Sequence, residues 1–188
     1  MLYIMRHGKT DWNVRQKLQG RTDIPLNEEG RRMAREAGEK YSKVHFDICY
    51  CSPLLRAKET AELFLTGRDV PIVTDDRLME MSFGVCEGVE HYFHNPDSPI
   101  DPLFRDPVHY EAVEGGESFA ELFARTGSFL REMVEPQLKE GKDILIIGHG
   151  AMNCSIICQV KGLELAHFWD QGIENCRLFE LSGGSRNA

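Results

Sequence analysis

Short runs of unbroken apolar residues alternate with longer stretches of helical period along this chain. Leu2-Tyr3-Ile4-Met5 is apolar at every position, and at that length it reads as a strand buried on both faces. Ile48–Cys51 and 143–147 repeat the pattern, Pro71–Thr74 reads as a further strand, and Cys176–Leu181 as an edge strand. Between them lie helices with recognisable starts. Asn27 is an N-cap with Glu28 and Glu29 in the first turn, and Met33, Ala37 and Tyr41 give that helix an apolar edge. Ser52 is the expected N-cap of a second helix reaching Phe64, with Pro53 at its first position and Arg56 in its first turn. Ser118-Phe119-Ala120-Glu121 is a capping box opening a helix to about residue 134, with Phe119, Leu122, Phe123, Thr126, Phe129, Leu130 and Met133 as its stripe. A last helix follows Gly150 and runs to about Val160. Residues 9–26 show no clean period and read as loop with one helical turn at most, and Leu78–Met81 reads as extended or turn.

Strands alternating with helices predict an α/β fold: a mostly parallel central sheet covered on both faces, hence three layers, α/β/α. Such sheets bind ligands beyond the carboxyl ends of their strands. There the chain places Arg6-His7-Gly8, Gly148-His149-Gly150 and, just after its strand, Arg56. Residues 89–116 break the alternation with Pro96, Pro99, Pro102, Pro107, three histidines (His91, His94, His109) and Gly115-Gly116. A loop-rich insertion of this length is usually functional or mobile, and here it is expected on the substrate side. Residues 1–182 are expected to form a single domain, with 183–188 as a frayed tail.

Composition narrows the function. The hydrophobic share of 41% includes no tract long enough to cross a bilayer, and a net charge of −8 argues against a nucleic-acid binder, which relies on broad basic surfaces. Yet residues 1–21 carry Arg6, Lys9, Arg15, Lys17 and Arg21 against the single acid Asp11. A basic segment in an acidic chain suggests a small anionic ligand, although Lys9, Lys17 and Arg21, each taken alone, fit a solvated surface. The six cysteines form no Cys-x-x-Cys pair and lie mostly in apolar stretches, as reduced thiols of a cytoplasmic protein would. A cleavable signal is not expected, because the first strand begins at residue 2 and ends in candidate chemistry.

Each candidate residue is weak evidence alone, since a histidine near a strand end is more often structural than catalytic. The combination is stronger. Glycine after each histidine permits close approach of backbone to ligand, and an arginine in a helix's first turn, unhelpful to the helix dipole, suggests an anion held between them. Arg6-His7-Gly8, Ser52-Pro53-Leu54-Leu55-Arg56-Ala57 with Thr60-Ala61, Leu78-Met79-Glu80 followed by Phe83-Gly84 and Glu87-Gly88, and Gly148-His149-Gly150 stand in that order. The pattern, strengthened by residues 20–27 and Gly116-Glu117-Ser118, resembles the histidine phosphatase superfamily, also called phosphoglycerate-mutase-like, from residue 2 to about 160.

The resemblance implies that His7 attacks phosphorus and becomes phosphohistidine, that Arg6, Arg56 and His149 hold the phosphoryl oxygens, and that Glu80 protonates the leaving oxygen. Asn13 matches a phosphate-contacting position, Thr10 is a helper beside it, and Gln19 and Gly20 match a segment touching the leaving portion of the substrate. No metal or cofactor is expected, since side chains supply the cations; His91, His94 and His109 read as solvent-exposed loop residues. Chemistry agrees: a phosphoryl group in transfer spreads negative charge over its oxygens, arginine forks hold such oxygens, and nearby arginines keep a histidine nucleophile neutral. Glu80 needs a proton to act as an acid, and bound phosphate dianion is expected to supply the field that keeps it there; Glu87 and Asp11 are rival carboxylates. Cys86 departs from the family pattern, where an aromatic residue often precedes this Glu-Gly.

The expected function is therefore a metal-independent phosphomonoesterase acting on a small phosphorylated metabolite. The alternatives are a phosphoglycerate mutase and a catalytically silent phosphoanion-binding module. Residues 89–116 contain Arg105 as their only arginine or lysine, together with several acids, which favours hydrolysis and a monophosphate with a neutral or partly cationic body. No partner beyond the metabolite, neither nucleic acid nor membrane, is expected, and the sequence carries no sign of oligomeric state.

Overall fold

The apolar runs do become strands, and their neighbours along the chain face opposite cores. The computed structural model describes residues 1–91 and 96–181. Its strands are β1 (Leu2–Arg6), β2 (Ile48–Cys51), β3 (Ile72–Thr74), β4 (Ile144–Gly148) and β5 (Leu178–Leu181). They form one sheet in the order β3-β2-β4-β1-β5. The first four are parallel and β5 runs antiparallel along β1. β4 sits at the centre, with Ile144, Leu145, Ile146 and Ile147 all wholly buried, each contributing about 1.5–3 kcal/mol by leaving water.

The helices described are α1 (Asp11–Val14), α2 (Glu28–Lys40), α3 (Leu55–Phe64), α4 (Asp101–Arg105), α5 (Phe119–Phe129), α6 (Glu135–Lys139) and α7 (Gly150–Lys161), of which α5 and α7 cover one face of the sheet and α2 and α3 the other. Ile4, Tyr50, Ile144 and Ile146 share a core with Leu122, Phe129 and Ile156 of α5 and α7. Met5, Cys49, Cys51, Leu145 and Ile147 share the other with Ala34, Ala37, Ala61 and Phe64 of α2 and α3. The period of two along each strand thus yields the expected three layers.

Differences from the expected elements have local causes. Ser52 does not cap α3; the helix starts at Leu55, whose N–H donates to the Asp23 carboxylate at 2.8 Å, while Ser52 Oγ accepts only the Leu54 N–H at 3.3 Å. Helix beyond Ser118 does not stop near 134. It passes through a π-helical turn at Leu130–Val134 into α6, a widening that accommodates Pro136, which has no N–H to give. β5 begins at Leu178 rather than 176, because Cys176 takes a left-handed φ of 56°. Leu78 closes a 3-10 turn, Asp76–Leu78, ahead of Glu80. The described residues of the 89–116 segment are better anchored than its prolines suggest: they include α4 and a 3-10 turn at Pro107–His109, and Ile100 and Leu103 are wholly buried in the main core. His94 and the expected tail 183–188 lie outside the described residues.

Candidate active site

At the carboxyl rim of the parallel strands a cleft of about 700 Å³ opens, lined by Arg6, His7, Asn13, Gln19, Gly20, Arg56 and Glu80 among others. Thr10 and His149, both wholly buried, lie behind this lining. The residues named for phosphate and substrate contact therefore meet in one place, although α1, α3, α7 and two strand ends contribute to it.

His7 follows β1 directly and is held by its backbone from three sides. Its N–H donates to Gly148 O at 2.9 Å, its carbonyl accepts from Asn175 Nδ2 at 2.6 Å, and the next N–H, of Gly8, donates to Thr60 Oγ1 at 3.0 Å. The imidazole Nδ1 lies 2.6 Å from Gly8 O. A carbonyl only accepts, so Nδ1 carries the hydrogen and Nε2 keeps a free lone pair. Burial, then the charges of Arg56 and Arg6, push the pKa of His7 well below the ordinary 6.5, so the ring is neutral. Gly8 is required here, since a Cβ would sit 2.6 Å from Gly30 O.

Around His7 stand the groups that favour an anion. His149 caps α7, and its ring centroid lies 5.2 Å from that of His7. Burial and the neighbouring Arg56 likewise drive its pKa well below 6.5. Arg56 is 1% exposed, and burial lowers its pKa only to about 10, so it remains a cation. Its Nη1 and Nη2 donate to Thr22 O at 3.0 Å and Gly20 O at 2.6 Å, which fixes the guanidinium plane. Arg6 Nη1 donates to Ile173 O at 3.3 Å. The Nε atoms of Arg6 and Arg56 and both ring nitrogens of His149 are buried without a hydrogen-bond partner among the described residues. Buried polar atoms are nearly always paired, and these four belong to side chains that line the cleft or, for His149, pack against His7; unpaired donors there suit an anion with several oxygens.

Glu80 is 7% exposed and sits on the first turn of α7. Its Oε1 accepts from Met81 and Met152 N–H, both at 2.9 Å, and Oε2 from Ala151 N–H at 3.2 Å. A Cβ on Gly150 would lie 3.6 Å from Glu80 Oε2 and 3.9 Å from Arg6 Cζ, so acid and cation converge there. The rival carboxylates are placed elsewhere. Asp11 is exposed on α1, beside Asn27, and the Glu87 carboxylate accepts from the Arg21, Thr22 and Phe83 N–H groups. Thr10 caps α1 through a reciprocal pair with Asn13, and its hydroxyl reaches Gln19 Oε1 at 3.0 Å, tying three of the expected contact residues together. His91 and His109 stand apart, against Gln16 and Asp106.

The cleft is also bounded by Phe83, Phe104, Trp169, Ile173 and Asn175. Phe104 and Trp169 stack at 5.2 Å, and Trp169 Nε1 donates to Leu103 O at 2.7 Å, fastening the 169–175 segment to α4. Sequence reading missed this wall and Asn175. One signal was available: an antiparallel edge strand begins at the rim where the parallel strands end, so residues just before Leu178 had to border the site.

A neutral imidazole, two fixed arginines and a carboxyl group at a helix start, set on the rim of a mostly parallel sheet, define an α/β protein whose cleft suits a phosphate-like anion. The chain belongs to the histidine phosphatase superfamily, branch 1, whose family model matches residues 2–187. It is 36% identical over 159 residues to the Bacillus subtilis protein named uncharacterized phosphatase PhoE, an overlap of 85% of this chain and 76% of that one. A 2,3-bisphosphoglycerate-dependent phosphoglycerate mutase of Cytophaga hutchinsonii is 30% identical, with 97% and 88% covered. Among solved structures, Bacillus stearothermophilus YhfR superposes with a TM-score of 0.84 at 32% identity, covering 97% of this chain and 92% of that one. Family and relatives together make the chain an enzyme of the phosphatase or mutase type.

Proposed function

We propose that the chain is a phosphomonoesterase that hydrolyses a small phosphorylated metabolite through a phosphohistidine on His7. The observation that carries this reading is the neutral His7 ring, with Nδ1 committed to Gly8 O, facing the same cleft as Arg6, Arg56 and Glu80. Nε2 attacks phosphorus, the P–N bond forms and the P–O bond to the alcohol breaks. Protonated Glu80 gives its proton to the departing oxygen. Arg6, Arg56 and His149 hold the phosphoryl oxygens throughout, where their fixed donors lower the barrier most. Water then attacks phosphorus and loses a proton to the Glu80 carboxylate, the P–N bond breaks, and inorganic phosphate leaves. Covalent capture divides one displacement into two easier ones. Asn13, Gln19 and Gly20 complete the substrate contacts, with Thr10 behind them as the helper that holds Asn13 and Gln19.

Hydrolysis is favoured over mutase chemistry by the outer cleft. Its other cations, Lys9, Lys17 and Arg105, are each paired with an acid: Glu29 at 2.8 Å, Glu90 at 3.1 Å and Asp101 at 2.7 Å. A substrate's second anionic group would have to displace one of those acids, whereas a neutral body meets Phe104 and Trp169. The test is phosphate release from a panel of monoesters in chelator, run beside His7→Ala. Release that vanishes in the variant is expected. Interconversion of phosphoglycerates without net release would identify a mutase, and a silent panel with phosphate analogues still binding would identify a binding module.

A further inference from the structure

We infer that Glu87 is a positioning residue, which orients the Gly20–Arg21 peptide so that Arg56 and Glu80 are held in register across the cleft; the inference rests on the phosphomonoesterase reading. Glu87 does not line the cleft. Its Oε1 accepts from Arg21 N–H at 2.9 Å and Phe83 N–H at 3.2 Å, and its Oε2 from Thr22 N–H at 2.9 Å and the Thr22 hydroxyl at 2.5 Å. The Arg21 N–H and the Gly20 carbonyl belong to one planar trans peptide, whose two polar ends point in opposite directions. One end meets the Glu87 carboxylate. The other meets Arg56 Nη2 at 2.6 Å. A negative and a positive side chain thus grip the same peptide dipole from both ends, and reversing that peptide would turn a carbonyl toward Glu87 and an N–H toward Arg56.

The same loop reaches the acid side of the cleft. Arg21 Nε donates to Glu80 O at 3.2 Å, and its guanidinium pairs with Glu117 at 3.3 Å, which Arg125 holds in turn at 2.6 Å. Asp23, two residues on, caps the helix that carries Arg56. Gly20 has a φ of +55°, and a Cβ there would collide with Glu87 Oε1, so the glycine admits the carboxylate as well as the turn. A merely structural carboxylate would tie the loop to the fold. This one also sets which end of the loop's dipole Arg56 meets, and it holds the backbone from which the Arg21 side chain reaches Glu80 O.

The experiment compares wild type, Glu87→Gln and Thr22→Val, the last removing one hydroxyl donor as a milder perturbation. Three quantities are read: affinity for inorganic phosphate by calorimetry, turnover of an aryl phosphate with a good leaving group, and turnover of an alkyl phosphate with a poor one. Glu87→Gln puts an amide N–H against a backbone donor. Phosphate affinity is expected to fall about tenfold, the loss typical of a charge-assisted hydrogen bond. Alkyl phosphate turnover is expected to fall at least about tenfold more than aryl turnover, because only the alkyl leaving oxygen depends on the acid. Thr22→Val should move all three in the same directions by less. A lower melting temperature with phosphate affinity and the aryl-to-alkyl ratio both unchanged would overturn the inference. If wild type releases phosphate from neither ester, the phosphomonoesterase reading fails, and unchanged phosphate affinity in Glu87→Gln would then sink the inference separately.

Discussion

In the proposed mechanism His7 is the nucleophile, and its one short hydrogen bond and two nearby charges dictate how it should respond to change. Because Nδ1 is committed to Gly8 O, replacement by Ala removes the attacking atom, whereas Glu80→Gln leaves attack intact and removes only the proton. Turnover of an alkyl phosphate should then fall by about 10²–10⁴, the range for losing a general acid, with much less effect on an aryl phosphate. Unchanged alkyl turnover in Glu80→Gln would move the acid to another group. At this scale the sequence was most informative where a residue type follows a strand. Arg6, His7 and His149 could be placed from apolar runs ending in polar residues. Arg56 was placed in a first turn correctly, although the cap beneath it is Asp23 and not Ser52. Asn175 was legible only through the direction of the edge strand that follows it, and Trp169 not at all, because a loop's composition does not show which rim it borders. Glu87 was noticed for its charge, but its role depends on which way a distant peptide faces.

The elements show which local signals survive packing. The capping box at Ser118 does, with its hydroxyl accepting from Glu121 N–H at 3.2 Å and the Glu121 carboxylate returning to Ser118. Ser118→Ala should lower unfolding free energy by about 1 kcal/mol, measured by urea denaturation, without altering kcat, since Ser118 does not line the cleft. An unchanged midpoint would mean that the helix start is held by tertiary contacts alone. The same helix exposes the limit of periodicity. Its stripe was read to about residue 134, yet helical structure continues to Lys139, because a π turn absorbs the missing N–H of Pro136. A proline normally signals an end, and only packing of Leu130 and Val134 into the core decides otherwise. The three-layer sheet was legible for a sturdier reason: the β4 run is apolar at every position, which only burial on both faces explains.

For the molecule as a whole, two wholly or nearly wholly buried histidines couple stability to acidity. Both His7 and His149 are held neutral well below their ordinary pKa of 6.5. Below that pH the unfolded chain takes up protons that the folded chain refuses, so stability is fully present above 6.5 and declines as the pH drops. Each histidine contributes a slope of up to about 1.4 kcal/mol per pH unit in that window. Denaturation at pH 7 and pH 5.5 should show the decline, and His149→Asn should make it shallower. An equal slope in the variant would assign the decline to other groups.

The placement of β1 between β4 and β5 also has a temporal side. Leu2 pairs with Ile144 on one edge and Leu181 on the other, so the strand that delivers His7 is synthesised well ahead of both neighbours. At about 5–20 residues per second of synthesis, it stays without them for roughly ten to thirty seconds. Its apolar residues stay unpaired during that interval, and His7 cannot reach its place in the site before Asn175, which holds its carbonyl, has been made.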